Sequence, residues 1–387
     1  MPALDVPQPE FMDDEEIAIF ADAVGKFYEK HAPEKRVLKW REDGQVDRDF
    51  WRDAGEAGLL GASVPEEYGG HGGDFRHEMV VIDQQGQHGV EGFAASLHNT
   101  IILPYLVRHG TEEQKKKYLP RLVSGDLVSA IAMTEPGVGS DLQSITTTAI
   151  KDGNGYRING AKTYISNGQI ADFIIVVAKT DPNERAKGIS LMLLETEGAE
   201  GFQRGKKLDK IGLEAQDTSE LFFDDVFVPA ENVLGGEEGK GFYQLMGELP
   251  QERLIIAMGG MTVIERALEE TVKFTKERKA FGQTIWDFQN TQFVLADLKA
   301  KGTAAKIFVN DCIAKHLKGE LDVPTACMAK YWVTELQGEV VDKCLQLHGG
   351  AGYINDYPIA RMFRDSRISR IFGGSNEIMK MVIARSM

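Results

Sequence analysis

Between residues 13 and 29, Ile17, Phe20, Ala21, Val24, Phe27 and Tyr28 recur at spacings of three and four. That period gives a helix with one apolar face, and the acidic residues 13–16 stand at its start, where the helix dipole favours negative charge. A polar stretch at 42–45 separates it from an apolar-rich segment at 50–60, and further helical patterns follow at 78–85 and 112–123. Near Val128 the period changes to that of strands. Residues 145–150 are β-branched and Thr-rich, Asp152-Gly153-Asn154-Gly155 is a turn signal, and 156–166 alternates. Residues 173–178, 189–194 and 221–228 read as further strands. No helical pattern intervenes, so the sheet is predicted to be antiparallel. After Gly235 the helical period returns at 254–275, 293–316 and 323–347, and 360–387 is basic and short-patterned. The predicted architecture is α+β: an N-terminal helical domain (1–127), a central antiparallel β domain (128–237) and a C-terminal helical bundle (238–387).

Composition narrows the chemistry. The 387 residues carry 59 Asp plus Glu against 44 Lys plus Arg, a net charge of -15. That balance argues against a primary role on nucleic acid or anionic lipid, both of which attract basic surfaces. The three cysteines, Cys312, Cys327 and Cys344, form no CxxC, which suits a reducing compartment. No run approaches the roughly 20 apolar residues of a membrane span. Residues 1–20 are acidic with no basic residue, unlike a signal or transit peptide. A cytoplasmic location, or the matrix of an organelle after maturation, is expected.

Several familiar sites are missing. Gly137-Val138-Gly139-Ser140-Asp141-Leu142 fails GxGxxG at its last position, and the 235–241 loop lacks the first glycine and the Ser or Thr of a phosphate loop. No GxSxG occurs. His71 and His77 lie in or beside a glycine loop without metal-ligand spacing.

Two segments are more specific. One is Ala132-Met133-Thr134-Glu135-Pro136-Gly137-Val138-Gly139-Ser140-Asp141, at the entry to the β region. The other begins Gln346-Leu347-His348-Gly349-Gly350-Ala351-Gly352-Tyr353 and continues through Asp356, Arg361 and Asp365. With Lys162-Thr163-Tyr164-Ile165-Ser166-Asn167-Gly168 and Arg278-Lys279-Ala280-Phe281-Gly282 between them, they make the chain resemble the acyl-CoA dehydrogenases over nearly its whole length. The resemblance implies a C-terminal four-helix bundle, bound FAD and a homotetramer. It places Met133 and Thr134 beside the flavin, Tyr164 and Ser166 behind its ring, and Gly139 and Ser140 near FAD, with Ser140 also near the pantetheine arm of substrate. Read as a plain strand, Tyr164 and Ser166 share one face. Arg278, Phe281 and Gln289 match positions that reach the FAD of a neighbouring subunit, and Arg suits a pyrophosphate by charge and geometry. Gln346, Gly349 and Gly350 match a second crossing contact, while Ser375 and Glu377 match the loop that closes over FAD.

The resemblance also locates a departure. Many members carry a catalytic Glu in the C-terminal loop, where this chain has Gly373 in Ile371-Phe372-Gly373-Gly374-Ser375-Asn376-Glu377. The long-chain and isovaleryl branches lack that Glu and carry one before an Arg, which here is Glu252 before Arg253. The implied reaction is α,β-dehydrogenation of a fatty acyl-CoA, medium- to long-chain, in β-oxidation. Glu252 takes the α-proton, the β-carbon delivers hydride to the flavin, and the Gly373 N–H helps hold the thioester oxygen. Arg253 and Gly374 fall to the substrate, and an electron-transferring flavoprotein takes the electrons. From the residues alone, Glu252 follows Pro250 as a helix-start acid whose dipole and Arg253 neighbour lower its pKa, and Arg253 is a partner for a nearby acid. Glu377 is the rival base. An oxidase or monooxygenase on the same fold, or a non-catalytic FAD-binding assembly factor, are the alternative functions.

Overall fold

The computed structural model describes residues 3–387. Helices α1 (Glu15–His31), α2 (Glu34–Asp43), α3 (Arg48–Glu56) and α4 (Phe75–Gln87) come first. Asp14, Asp47 and Asp74 cap α1, α3 and α4 by accepting backbone N–H groups. A short turn, α5 (Ala95–Leu97), passes through a π-helical turn, His98–Ile102, into α6 (Leu103–His109). Helix α7 (Glu112–Val123) then leads to the sheet and starts with a capping box between Thr111 and Gln114.

The strands are β1 (Ser129–Ala132), β2 (Thr148–Asp152), β3 (Gly155–Ser166), β4 (Phe173–Lys179), β5 (Ile189–Glu195), β6 (Phe202–Lys207) and β7 (Thr218–Pro229). Strands β2, β3, β7 and β6 pair antiparallel in that order, and β5 runs antiparallel along β4. On its other edge, however, β4 pairs parallel with β1 and, at Lys179, with β2. The sheet is therefore mixed, not antiparallel as the pattern predicts. The crossover from β1 to β4 is built from a loop and the β2–β3 hairpin, so a parallel pair forms without a helix to announce it. Strands β1 and β6 escape the sequence pattern: β1 is four residues long, and β6 is an edge strand with mostly exposed side chains.

Both faces of β4 are covered. Phe173, Ile175 and Val177 pack with Tyr105, Leu106, Tyr118 and Leu122 of the N-terminal helices, while Ile174, Val176 and Ala178 pack into the sheet's own interior. This is why residues 173–178 read as a continuous apolar run. The same helix-facing cluster takes in Leu234 and Leu245 and carries Met133 and Val138 at its margin. The segment after β1 is thus fixed where the helical and β parts meet.

The C-terminal part is a bundle of α8 (Gly241–Glu277), α9 (Gln289–Leu317), α10 (Val323–His348) and α12 (Asn376–Arg385), with α11 (Pro358–Ser366) beside it. A two-stranded ribbon, β8 (Lys279–Ala280) with β9 (Gln283–Thr284), joins α8 to α9. Helix α8 begins well before the predicted start, so Pro250 lies inside it. The missing proline N–H costs one intrahelical bond, and packing on both sides keeps the helix continuous. Among the described residues no helix is long and apolar enough to cross a membrane.

Candidate active site

Glu252 is an interior residue of α8, not a helix-start acid, and is only 5% exposed. Its Oε1 accepts a 2.9 Å hydrogen bond from the Tyr105 hydroxyl on α6. Burial raises the Glu252 pKa to about 7, and the nearby Glu248 adds to the rise. The Tyr105 hydrogen bond and Arg253 oppose it without prevailing. The sequence expectation of a depressed pKa is thereby reversed, because the carboxylate sits away from the positive end of the helix and out of water. Glu248, one turn earlier, is buried and paired with Arg108 and His109. Gln251 donates to the Thr100 carbonyl at 2.7 Å and accepts from Arg108 at 2.8 Å.

Arg253 is as buried as Glu252. It has no carboxylate partner among the described residues: Nη1 lies 3.2 Å from the Cys327 Sγ on α10, and Nε has no acceptor. The reading of Arg253 as an acid's partner is corrected on that ground. Lys330, also on α10 and fully buried, donates to the Gly374 carbonyl at 2.7 Å and to Asn376 Oδ1 at 2.9 Å. Burial, then the charge of Arg253, lowers the Lys330 pKa to about 8. Sequence reading passes over Lys330; its signal, a lysine inside an otherwise apolar helical stripe, becomes legible only once the loop it holds is known.

That loop carries Gly373 and Gly374, both in the left-handed region at φ 63° and 94°. A Cβ at Gly373 would collide with the tip of Ile256, which lies one helical turn beyond Glu252 on α8. The glycine loop and Glu252 therefore border one region. Among the described residues the Gly373 N–H makes no backbone hydrogen bond. Ser375 caps α12 by accepting from Ile378. Glu377 is exposed in the first turn of α12, where its own backbone N–H, and then Ser375, lower its pKa. A carboxyl so stabilised in its charged form is a poor proton acceptor.

The Met133–Ser140 segment is held from behind. Glu135 accepts from Thr146 N, Thr146 Oγ1 and Thr147 N, and pairs with Lys162 at 2.9 Å. Both charges are buried. Burial alone would raise the Glu135 pKa, but Lys162 and the hydrogen bonds bring it to about 2. Lys162 also donates to the Met133 carbonyl, and Thr163 N donates to the Thr134 carbonyl at 2.9 Å, so β3 and the Thr134 segment lie side by side. A register shift between Lys162 and Ile165 breaks the alternation of β3. It leaves Tyr164 in the left-handed region at φ 60° and 69% exposed, while Ser166 is half-buried. Tyr164 and Ser166 are both more open than the buried Ile165 between them, as the period of two expects.

These features fit a flat, anionic cofactor. Side chains at Gly137, Gly139, Gly349 and Gly350 would meet nothing within 4 Å. The hydroxyls of Thr134 and Ser166 make no hydrogen bond among the described residues, and Ser140 is exposed. Arg278, Phe281, Gln289 and Gln346 also face outward, Phe281 being 96% exposed. No hydrogen bond joins these four to the Thr134–Ser166 group within the described chain. One chain thus brings Glu252, Arg253, Gly373 and Gly374 together, and Met133, Thr134, Tyr164 and Ser166 together, and leaves the outward-facing set apart.

Comparison with known proteins agrees with this layout. Residues 14–126, 130–226 and 239–387 match, respectively, the N-terminal, middle and C-terminal domains of acyl-CoA dehydrogenase. The chain is 47% identical to the mitochondrial long-chain specific acyl-CoA dehydrogenase of Sus scrofa, over 95% of this chain and 86% of the relative. A crystal structure of acyl-CoA dehydrogenase from Geobacillus kaustophilus superposes with a TM-score of 0.94 at 46% identity, covering 96% of this chain and 98% of that one. A glutaryl-CoA dehydrogenase from Mycobacterium smegmatis in complex with FADH2 gives a TM-score of 0.91 at 25% identity, over 100% of this chain and 97% of that one. With all three domain models matched in order along nearly the whole length, the chain belongs to the acyl-CoA dehydrogenase family.

Proposed function

We propose that this protein dehydrogenates the α,β bond of a medium- to long-chain fatty acyl-CoA in β-oxidation, with Glu252 as the base. The observation that carries the reading is a buried carboxyl whose pKa is raised to about 7, on the helix that borders the Gly373 loop. A general base works best with a pKa near the operating pH, and burial supplies that here. Glu252 takes the proton from the α-carbon. The free N–H of Gly373 meets charge as it develops on the thioester oxygen, and a backbone donor needs no side chain at that position. Arg253 and Gly374 border the acyl thioester, and Lys330 fastens the loop through the Gly374 carbonyl.

FAD, when bound, supplies the hydride acceptor for the β-carbon. Met133, Thr134, Gly139, Ser140, Tyr164 and Ser166 would hold it from one chain, with Ser375 and Glu377 at the closing loop. Arg278, Phe281, Gln289, Gln346, Gly349 and Gly350 would reach the FAD of a neighbouring copy, which makes a homotetramer the working form and an electron-transferring flavoprotein the electron acceptor. Their outward exposure supports this reading.

The test is anaerobic mixing of FAD-loaded protein with acyl-CoA of graded chain length, following loss of flavin colour. The fastest bleaching is expected with medium to long chains. Glu252→Gln should slow it by at least about a hundredfold while FAD content holds. Near-normal bleaching by Glu252→Gln would remove Glu252 from the mechanism.

A further inference from the structure

Helix α6 grips α8 around Glu252 through side chains that the reaction itself does not use. Arg108 of α6 reaches Glu248 and Gln251, the Thr100 carbonyl of the π-turn takes the Gln251 amide, and Tyr105 reaches Glu252. Tyr105 has no exposed surface, and its hydroxyl has this one hydrogen-bond partner. A phenol in such a place would ordinarily be a core residue with its oxygen satisfied by a backbone carbonyl. Here it is spent on a carboxylate that has no other hydrogen bond among the described residues.

We propose that Tyr105 is the positioning residue of the base: its hydroxyl fixes one oxygen of Glu252 and favours the charged, proton-accepting form. The proposal rests on Glu252 being the base. The charged and titratable groups around Glu252 are few. Glu248 stands on α8 itself, paired with Arg108 and His109 from α6, and its charge disfavours a second negative charge on Glu252. Arg253 stands on α8 with its guanidinium directed at Cys327 of α10. His316 of α9 is held largely neutral by burial, its pKa lowered to about 4, and Lys330 of α10 lies beyond Arg253. Tyr105 alone among them bonds the Glu252 carboxylate. A donor that bonds the ionised form stabilises it against protonation. Without the donor, burial acts unopposed by any hydrogen bond, and protonation of Glu252 must reach to higher pH.

The experiment is a difference infrared titration of the full-length protein, with Glu252→Gln identifying the Glu252 carboxyl band. The wild-type midpoint is expected near neutrality. Tyr105→Phe, which keeps the ring, should raise it by about one pH unit or more, the equivalent of a hydrogen bond to an ionised group. A 3-fluorotyrosine at position 105, a more acidic phenol and stronger donor, should lower it. The acid limb of flavin bleaching by acyl-CoA should move in step. A Tyr105→Phe protein that bleaches more slowly at every pH with an unmoved limb would reduce Tyr105 to packing and overturn the proposal. If Tyr105→Phe does not fold, an unmoved midpoint in the fluorotyrosine protein overturns it instead. Normal bleaching by Glu252→Gln would bring down the base assignment and the proposal with it. An unmoved midpoint alongside an impaired Glu252→Gln protein would bring down the role of Tyr105 alone.

Discussion

At the scale of single residues, the burial of the Glu252 carboxyl carries a cost in stability. Its folded pKa of about 7 lies above the usual carboxylate value of 4.5. The folded state therefore holds a proton that the unfolded chain releases between about pH 4.5 and 7, and stability falls as pH rises through that window. Glu252→Gln should remove the penalty. In thermal melts the variant is expected to gain on the wild type at pH 8, with the difference shrinking towards pH 5; a gap independent of pH would contradict the burial argument. Sequence alone identifies Glu252 by resemblance but misjudges its surroundings. Pro250 reads as a helix start, and only the packing of α6 on α8 shows the carboxyl to be deep in an unbroken helix. Lys330 and Tyr105 are illegible for the same reason: a polar residue at an apolar helical position acquires meaning from its partner, and the partners lie on other elements.

Among the elements, β3 shows how much hangs on one buried ion pair. Lys162 and Glu135 have side chains 0% and 3% exposed, and they join β3 to the Met133–Ser140 segment. Removing one partner strands the other charge inside the protein, at a cost of about 3–5 kcal/mol. Glu135→Gln or Lys162→Met should therefore lower the denaturation midpoint markedly, and any protein recovered should hold FAD poorly; a melt within a degree or two of wild type would show the pair to be dispensable. The pattern of strands was legible where alternation or an apolar run marked it, as in β3 and β4. The parallel pairing of β1 with β4 was not, since strand direction depends on a crossover whose path no local period records. The bulge at Tyr164 was hidden too, because one extra residue leaves the composition of a strand unchanged.

For the whole molecule, the three parts are locked together by charge as well as by apolar packing. Arg41 of α2 bonds Asp365 of α11 at 2.7 Å and pairs with Glu214 from the β part, while Arg361 of α11 pairs with Glu34 at 2.8 Å. The motif residues Arg361 and Asp365 thus serve to join domains. The side chain of outward-facing Arg278, in contrast, has no hydrogen-bond or ion-pair partner in the described chain, and its reading as a cofactor contact requires a second copy. Arg278→Ala should lose FAD on gel filtration more readily than Lys116→Ala, which alters another exposed cation; equal retention in both would leave Arg278 as a solvated charge.

The π-helical turn at His98–Ile102 has a further consequence. Such a turn is an ordinary helix that has absorbed one surplus residue, and each residue added or removed rotates one side of a helix against the other by about 100°. With the contacts before the turn kept in place, the same residues wound as a plain α-helix would offer Pro104 where Tyr105 now stands. A hydroxyl beside the carboxyl would give way to a hydrocarbon with no change in the letters of α6. The acidity of this carboxyl is in that sense written in the winding of a segment as well as in its spelling, and a comparison of relatives by substitution alone would pass over it.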